Sequence, residues 1–215
     1  MAGERDEPAE ARAAPGPRES IPLARLFALV DGVVAIAMTL LVLDIRLPPG
    51  LSGAELRRAV DELRPDLFAF LLSVIVIGLF WRGHHVVLKD AGRVDGPLLM
   101  LNFAFLALVA LIPFPTSVLN DYANQPVGPI LYASNIGLTA LVELLMWLYV
   151  IRRDRPSAER IAPARRRAVV LNTLATAVVF VGSIPIALVS PDAALFSWLL
   201  LIPIRIAVRT IYRTG

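Results

Sequence analysis

The stretch "DGVVAIAMTLLVLD", Asp31 to Asp44, is almost entirely apolar, yet it begins and ends on an aspartate. Extended to 26–46, it supplies the ~20 mostly apolar residues that a membrane-spanning helix needs. A carboxylate inside such a helix must find a partner or stay protonated, because placing its charge in lipid costs ~3 kcal/mol or more. We therefore predict that Asp31 belongs to a buried polar cluster and that the apolar residues after it line an ion pathway.

The composition of the whole chain is that of a membrane protein. Its 215 residues are 57% hydrophobic, and the mean hydropathy is +0.68. The absence of cysteine from the sequence excludes disulfides, thiolate metal sites and cysteine nucleophiles. The net charge is +3, but the basic residues lie between apolar segments, so membrane topology explains them better than nucleic-acid binding. No nucleic-acid partner is expected.

Six segments are long and apolar enough to cross a bilayer. They are 26–46, 66–88, 97–118, 127–150, 167–188 and 193–212. The predicted fold class is therefore an all-α integral membrane protein with six transmembrane helices, forming one channel-like domain over 21–215. Residues 1–20 are polar and rich in proline and charge, which predicts a disordered cytoplasmic tail.

The distribution of arginine predicts the orientation of these spans. The stretch between spans 4 and 5, "RRDRPSAERIAPARRR", holds seven arginines, and further basic residues lie in the N-terminal tail, between spans 2 and 3, and at the C-terminal end. Cytoplasmic loops carry the excess of Lys and Arg in membrane proteins. Both termini are therefore predicted to be cytoplasmic, in a multi-pass protein of the cell membrane.

The loop between spans 1 and 2 has a helical pattern of its own. In "LSGAELRRAVDELRP", Ser52 and Glu55 have the spacing of a capping box, and Pro65 is placed to end the helix. The apolar residues between them fall on one face. We predict a short amphipathic helix over about 52–64, lying on the outer membrane surface.

Other polar residues are predicted to lie in the same, cytoplasmic half of the membrane as Asp31. They are Arg25, His84 and His85 in "FWRGHHVVLKD", and Asn102 in "LLMLNFAF". At 1.5 Å per residue, Asp31 lies ~9 Å above Arg25 and Asn102 lies ~7 Å into span 3, so all five side chains could meet in one buried cluster. The alternative is that the histidines are merely interfacial and Asn102 bonds a neighbouring helix. No metal site is predicted, because adjacent histidines on a helix point ~100° apart.

Glu143, in "LTALVELLMW" near the middle of span 4, is a second intramembrane carboxylate. It is a candidate proton or cation site, and it could instead pair across the bundle with Asn135, Asn172 or Thr173. The sequence leaves these alternatives open. No HExxH, GxSxG or P-loop pattern occurs, so neither an enzyme nor a cofactor is predicted.

The stretch "RLFALVDGVVAIAMTLLVLDI" resembles the first helix of the prokaryotic relatives of the lysosomal potassium channel, transmembrane protein 175. The signature of that family is Arg, three residues and Phe-Ser-Asp, followed by a small residue and an apolar run. Arg25 and Asp31 match it, whereas Leu29 and Val30 replace Phe-Ser, which removes a hydroxyl. "FWRGHH" and "LNFAFLALVALIPFPTSVL" are also similar, and the resemblance covers roughly residues 22–120.

The resemblance implies a passive potassium-permeable channel of the bacterial inner membrane, assembled as a homotetramer with helix 1 lining the pore. Its partners would be copies of itself, membrane lipids, and potassium or other monovalent cations. Carried over by position, the constriction is formed by Ile36, Leu40 and Leu43, with Thr39 adding a hydroxyl ring. Asp44 would stand at the outer mouth, unless it pairs with a neighbouring arginine.

Helical geometry is consistent with this mapping. At ~100° per residue, Ile36, Leu40 and Leu43 fall within a stripe ~60° wide, and Asp31 lies ~140° away, on the predicted bundle side. Two other functions remain open from the sequence. One is a proton-coupled secondary transporter that uses the intramembrane carboxylates and the histidine pair, and the other is a non-conducting membrane protein with the same fold.

Overall fold

The computed structural model describes residues 22–153 and 163–213, and every regular element within them is helical. The helices are α1 (Leu23–Leu40, continued by a 3-10 turn Leu41–Asp44), α2 (Gly53–Glu62), α3 (Arg64–Ala91), α4 (Gly96–Leu111), α5 (Pro113–Asp121), α6 (Val127–Arg153), α7 (Pro163–Val189), α8 (Pro191–Ser197, continued by a 3-10 turn Trp198–Leu200) and α9 (Leu201–Arg213). The predicted tail at 1–20 and the middle of the basic loop before α7 lie outside the described residues.

Six segments of the described chain are long and apolar enough to cross a membrane, which confirms the predicted all-α fold. They are Leu23–Asp44, Gly53–Ala91, Gly96–Asp121, Val127–Arg153, Pro163–Val189 and Pro191–Tyr212. Most begin or end a few residues beyond the predicted bounds. Hydropathy marks only the part of a helix that matches the hydrocarbon thickness, whereas the helix itself continues into the polar headgroup region.

Helix α2 coincides with the amphipathic segment expected between the first two spans. Ser52 stands at its N-cap position, but the Ser52 side chain makes no capping hydrogen bond. Helix α3 begins directly afterwards with Pro65 in its first turn, where a proline needs no hydrogen-bond donor. The proline therefore marks the junction of α2 and α3, which follow each other with a single residue between them.

Proline also divides the third span. Ile112 separates α4 from α5, and Pro113 and Pro115 cannot donate backbone hydrogen bonds. The Ile112 amide bonds the carbonyl of Val109 at 3.1 Å, one residue short of the α-helical register. The regular α-helical hydrogen bonding of the span is therefore interrupted at Ile112, while its backbone stays largely hydrogen-bonded, as a lipid environment requires.

Helix α6 forms the centre of the bundle and packs against α7, α4, α5 and α3. Its contact with α7 is close because of Gly137, where an added Cβ would lie 2.8 Å from the Val181 side chain. Tyr132 and Trp147 of α6 are completely buried. Helix α1 packs on α4 and α3 at the edge of this bundle, so one of its sides remains uncovered in the single chain.

Candidate functional site

The side of α1 that faces the bundle is apolar and tightly packed. Its buried residues follow each other at intervals of three or four, which places them on one face: Leu26, Val30, Val34, Ala37 and Leu41. Val30 occupies the position where the resemblance would lead one to expect serine, and it is completely buried. This face fixes the rotation of α1 about its own axis.

The opposite side of α1 carries the residues that were assigned to the constriction. Ile36, Leu40 and Leu43 are 61%, 42% and 54% exposed in the single chain. Thr39 is also exposed, and its hydroxyl donates to the Ile36 carbonyl at 2.9 Å, so it is satisfied within its own helix. The geometry leaves this stripe free to meet lipid, water or another copy of the chain.

Asp44 follows the stripe in sequence, at the end of the 3-10 turn, and is half-buried. It lines a small cavity together with Asp66, Thr116 and Asn120. The described ion pairs do not include Asp44, and the Arg46 guanidinium donates instead to the carbonyl of Leu43, at 2.7 Å. The structure thus gives no support to a pairing of Asp44 with that arginine.

The five residues expected to form one buried polar cluster are divided into separate groups in this chain. His84 and Asn102 are completely buried, and the His84 Nε2 and Asn102 Oδ1 atoms lie 2.8 Å apart. The imidazole of His84 stacks on the Phe105 ring at 4.2 Å. Asp31, by contrast, has a side chain that is 54% exposed, and Arg25 is exposed as well.

The expectation that Asp31 is buried is therefore corrected for the single chain, although Asp31 does contact span 2, as expected. The buried residue is its neighbour Val30, and a step of one residue turns a helix by ~100°. Asp31 stands at the flank of the uncovered side, where α3 passes next to α1. The angle about the α1 axis between Asp31 and the stripe follows from the sequence. The direction in which Asp31 points relative to the other helices depends on how α1 packs against them.

On that flank, Asp31 is held by two residues of α3. Trp81 Nε1 donates to Asp31 Oδ1 at 2.8 Å, and His85 Nε2 lies 3.4 Å from the same oxygen. His85 in turn stacks on Phe27 of α1, with ring centroids 4.9 Å apart. Sequence reasoning missed Trp81, although it precedes His85 by four residues and so shares its helix face.

The buried histidine–asparagine pair is incompletely satisfied. His84 Nδ1 and Asn102 Nδ2 are buried and have no hydrogen-bond partner among the described residues. Most buried polar atoms in proteins do have a partner, because leaving one unmet costs ~1–3 kcal/mol. Val30 stands where the resemblance implies serine; it is fully buried and offers no hydroxyl.

Glu143 is buried in α6, with 5% of its surface exposed. It makes no hydrogen bond with the three candidate partners, Asn135, Asn172 and Thr173, and the amide of Asn135 donates instead to a backbone carbonyl of α4. Its carboxylate lies directly against Gly83 of α3, where an added Cβ would overlap it. Arg205 of α9 is the charged group that acts on it.

A contrasting, fully bonded carboxylate lies at the predicted cytoplasmic end. Tyr149 OH donates to Asp95 Oδ2 at 2.6 Å, and the Arg153 guanidinium lies 2.9 Å from the same atom. Asp95 Oδ1 also caps α4 by accepting from the Leu98 amide at 3.2 Å. Partial burial by itself raises the pKa of the Asp95 carboxyl, but these hydrogen bonds and the charge of Arg153 hold that pKa below its usual value. The arrangement, called the Asp95 clamp below, ties the loop between α3 and α4 to α6.

Comparison with known proteins finds similarity to potassium channels, both in a family model and in individual sequences. The family model described as the endosomal/lysosomal potassium channel TMEM175 matches residues 25–113. A protein named as a potassium channel from Streptomyces collinus is 35% identical over 147 residues, which is 66% of this chain and 71% of that protein. One from Chamaesiphon minutus, also named as a potassium channel, is 34% identical over 141 residues, which is 63% of this chain and 70% of that protein.

The fold is similar to a solved structure as well. The crystal structure described as a lysosomal potassium-selective channel TMEM175 homolog, from Chamaesiphon minutus, matches with a TM-score of 0.73 and 25% sequence identity. The match covers 86% of this chain and 97% of that chain. The family model takes in the stripe on α1, the Asp31 flank and the His84–Asn102 pair, whereas Glu143 lies beyond the matched residues.

Proposed function

This chain belongs to the TMEM175 family, and we propose from that membership and from the geometry of α1 that it is a passive potassium-permeable channel. The relatives that it resembles over most of their length are named potassium channels. The finer parts of the proposal are that the channel is a homotetramer in the bacterial inner membrane, that both termini are cytoplasmic, and that α1 of each copy lines the pore.

The observation that carries this proposal is the half-exposed carboxylate of Asp31 on a membrane-spanning helix. Facing lipid, that charge would cost several kcal/mol, so the side of α1 next to it must be covered by protein or by water. A second copy of the chain supplies the protein cover, and a water-filled pore supplies the water. The same requirement does not apply to exposed leucines elsewhere on the bundle, which lipid can cover.

The mechanism follows from the side chains on the uncovered side. Rings of Ile36, Leu40 and Leu43, one residue from each copy, form a narrow apolar constriction that conducts only when it is wetted. Such a ring replaces little of the hydration shell of an ion, so selectivity for potassium over sodium is modest. The Thr39 hydroxyls add a polar ring beside the constriction, and the Asp44 carboxylates raise the cation concentration at the outer mouth.

Single-cysteine variants test this assignment directly, because the native chain contains no cysteine and therefore gives no background reaction. Potassium flux is measured in proteoliposomes before and after adding a charged, water-soluble thiol reagent, which reacts only with a thiolate that water can reach. We expect the Ile36→Cys variant to lose most of its flux, since the adduct would fill the constriction.

Two neighbouring positions serve as controls. Val42→Cys is about as exposed as the stripe, at 50%, but lies outside it on the helix, so an adduct there would not fill the constriction. Ala37→Cys is buried against the bundle. Both should keep their flux after treatment. Equal loss at Ile36 and Val42, or no loss at Ile36, would contradict the placement of the stripe in a pore.

A further inference from the structure

Glu143 has no role in the pore proposed above, yet it is an ionisable group deep inside each subunit. Only 5% of its surface is exposed, and its Oε1 atom is buried without a hydrogen-bond partner among the described residues. An ionised carboxylate in such surroundings has lost its water and gained no donor on that atom. A neutral carboxylic acid carries a much smaller penalty, so the protonation state of Glu143 matters for the packing around it.

The space for this carboxyl group is provided by Gly83 of α3. A Cβ at Gly83 would overlap the Glu143 carboxylate, so any larger residue there would displace it. Glycine inside a helix costs ~1 kcal/mol relative to alanine. Because Gly83 has no side chain, it leaves a slot on α3 that the Glu143 side chain of α6 fills. The slot lies between Arg82 and His84 in sequence, at the level of the polar residues of α3.

The counter-charge comes from α9. The positive charge of Arg205 acts on Glu143, but the described ion pairs do not join the two groups. Arg205 Nη2 donates instead to Thr176 Oγ1 of α7 at 3.2 Å, and Arg205 Nε is buried without a hydrogen-bond partner among the described residues. A carboxylate and a guanidinium thus lie near each other, each with an unpartnered buried atom.

The other titratable or charged groups on the helices around this part of α6 have different surroundings. Helix α4 carries none in its sequence. On α3, Arg82 is exposed and acts on Arg205, His84 bonds Asn102, and His85 lies beside Asp31. The remaining titratable or charged residues of α3 lie in its first and last turns (Arg64, Asp66, Lys89 and Asp90), those of α7 lie in its first turns (Arg165 to Arg167), and those of α9 follow Arg205 toward the C-terminal end (Arg209, Tyr212 and Arg213). Arg205 is therefore the cation placed to respond to the charge of Glu143.

We propose that the Glu143 carboxyl is a proton-binding site within each subunit, separate from the pore, with Arg205 as the cation that stabilises its ionised form. The reaction is the exchange of one proton with water, and no other bond changes. In the neutral form the carboxyl group packs in the Gly83 slot. In the ionised form it attracts the Arg205 guanidinium away from its hydrogen bond with Thr176, so protonation alters how α9 attaches to α7.

The test uses the purified full-length protein in lipid nanodiscs. Infrared difference spectra between acid and alkaline buffer, and the melting temperature as a function of pH, are recorded for the parent, Glu143→Gln and Glu55→Gln. Glu55 is exposed on α2 and serves as the matched control. We expect Glu143→Gln to lose a protonated-carboxyl band and the accompanying pH dependence of melting, while Glu55→Gln keeps both. An unchanged band and pH profile in Glu143→Gln would overturn the proposal.

A second pair of variants covers the case in which Glu143→Gln fails to fold. Arg205→Lys keeps the positive charge and Arg205→Gln removes it. The midpoint of the pH-dependent transition should move by roughly one unit toward higher pH in Arg205→Gln, because the ionised carboxylate loses its cation, and should stay near the parent value in Arg205→Lys. An unmoved midpoint in Arg205→Gln would refute the role of Arg205. Neither readout needs ion conduction, so a failure of the proposed channel function would be seen separately.

Discussion

The two sides of helix α1 are both largely apolar but have different surroundings. Leu41 is 1% exposed, whereas its neighbour Leu40 is 42% exposed, although both belong to one continuous apolar run. One side packs within the subunit, and the other is left uncovered, which is where we propose that assembly and the pore lie. Asp31 stands at the boundary between them and is bonded to α3.

The largest difference between the two sides should appear in subunit stability. Leu41→Ala removes a fully buried side chain and should lower the free energy of unfolding by roughly 2–4 kcal/mol, because the surrounding helices cannot close the cavity completely. Leu40→Ala should cost much less within the subunit. Unfolding in mixed micelles with increasing denaturing detergent measures both. Equal losses would mean that the two sides are not distinct.

At the boundary, Asp31→Ala should weaken the attachment of α1 to α3. The variant leaves the Trp81 indole without its acceptor and His85 without its acidic neighbour, and hydrogen bonds to charged groups contribute ~1.5–3 kcal/mol. The yield of folded tetramer, measured by size-exclusion chromatography with light scattering, should fall more than ion preference changes. A normal yield with altered ion preference would place Asp31 in the pore itself.

On the uncovered side, Ile36→Asn should change conduction rather than folding. A polar ring wets more readily than an apolar one, so potassium flux should rise by roughly tenfold, equivalent to about 1.4 kcal/mol at the barrier. Proteoliposome flux and the same unfolding assay separate the two effects. Parent-like flux in this variant would show that the ring lies elsewhere.

The smallest effect is expected on the buried side, at Val30. A serine there adds a hydroxyl to the buried face of α1, which packs on α3 and α4; these two helices carry His84 Nδ1 and Asn102 Nδ2, which lack partners among the described residues. If the hydroxyl reaches either atom, Val30→Ser should stabilise the subunit by ~1 kcal/mol. Val30→Ala is the control for the lost methyl groups. Serine no better than alanine would mean that position 30 does not belong to the polar pair.

The elements that could be predicted from the sequence are those that depend on local pattern. The spans and α2 follow from hydropathy and from amphipathic spacing, and the relative angles of Ile36, Leu40 and Leu43 follow from helix geometry alone. What could not be predicted is the absolute rotation of each helix. That rotation places Val30 rather than Asp31 in the bundle, and it depends on contacts between residues far apart in sequence.

The same reason explains the sites that sequence reasoning did not find. The Asp95 clamp joins side chains 54 residues apart, in Tyr149 and Asp95, and no local pattern links them. Glu143 was identified as unusual, but its slot at Gly83 could not be found without knowing that α3 and α6 touch at that point. Asp95 is bonded at both of its oxygens, whereas Glu143 has an unmet one, which marks the first as structural and the second as a candidate for protonation.

The central claim is that this chain conducts potassium passively, and it is tested most directly by ion flux in proteoliposomes that contain only the purified protein. Flux is recorded under a potassium gradient, with sodium and proton gradients as parallel arms. A passive channel should give potassium flux that needs no second ion, with a smaller but measurable sodium flux. Potassium movement that requires a proton gradient, or no flux from a protein that is still tetrameric, would contradict the claim.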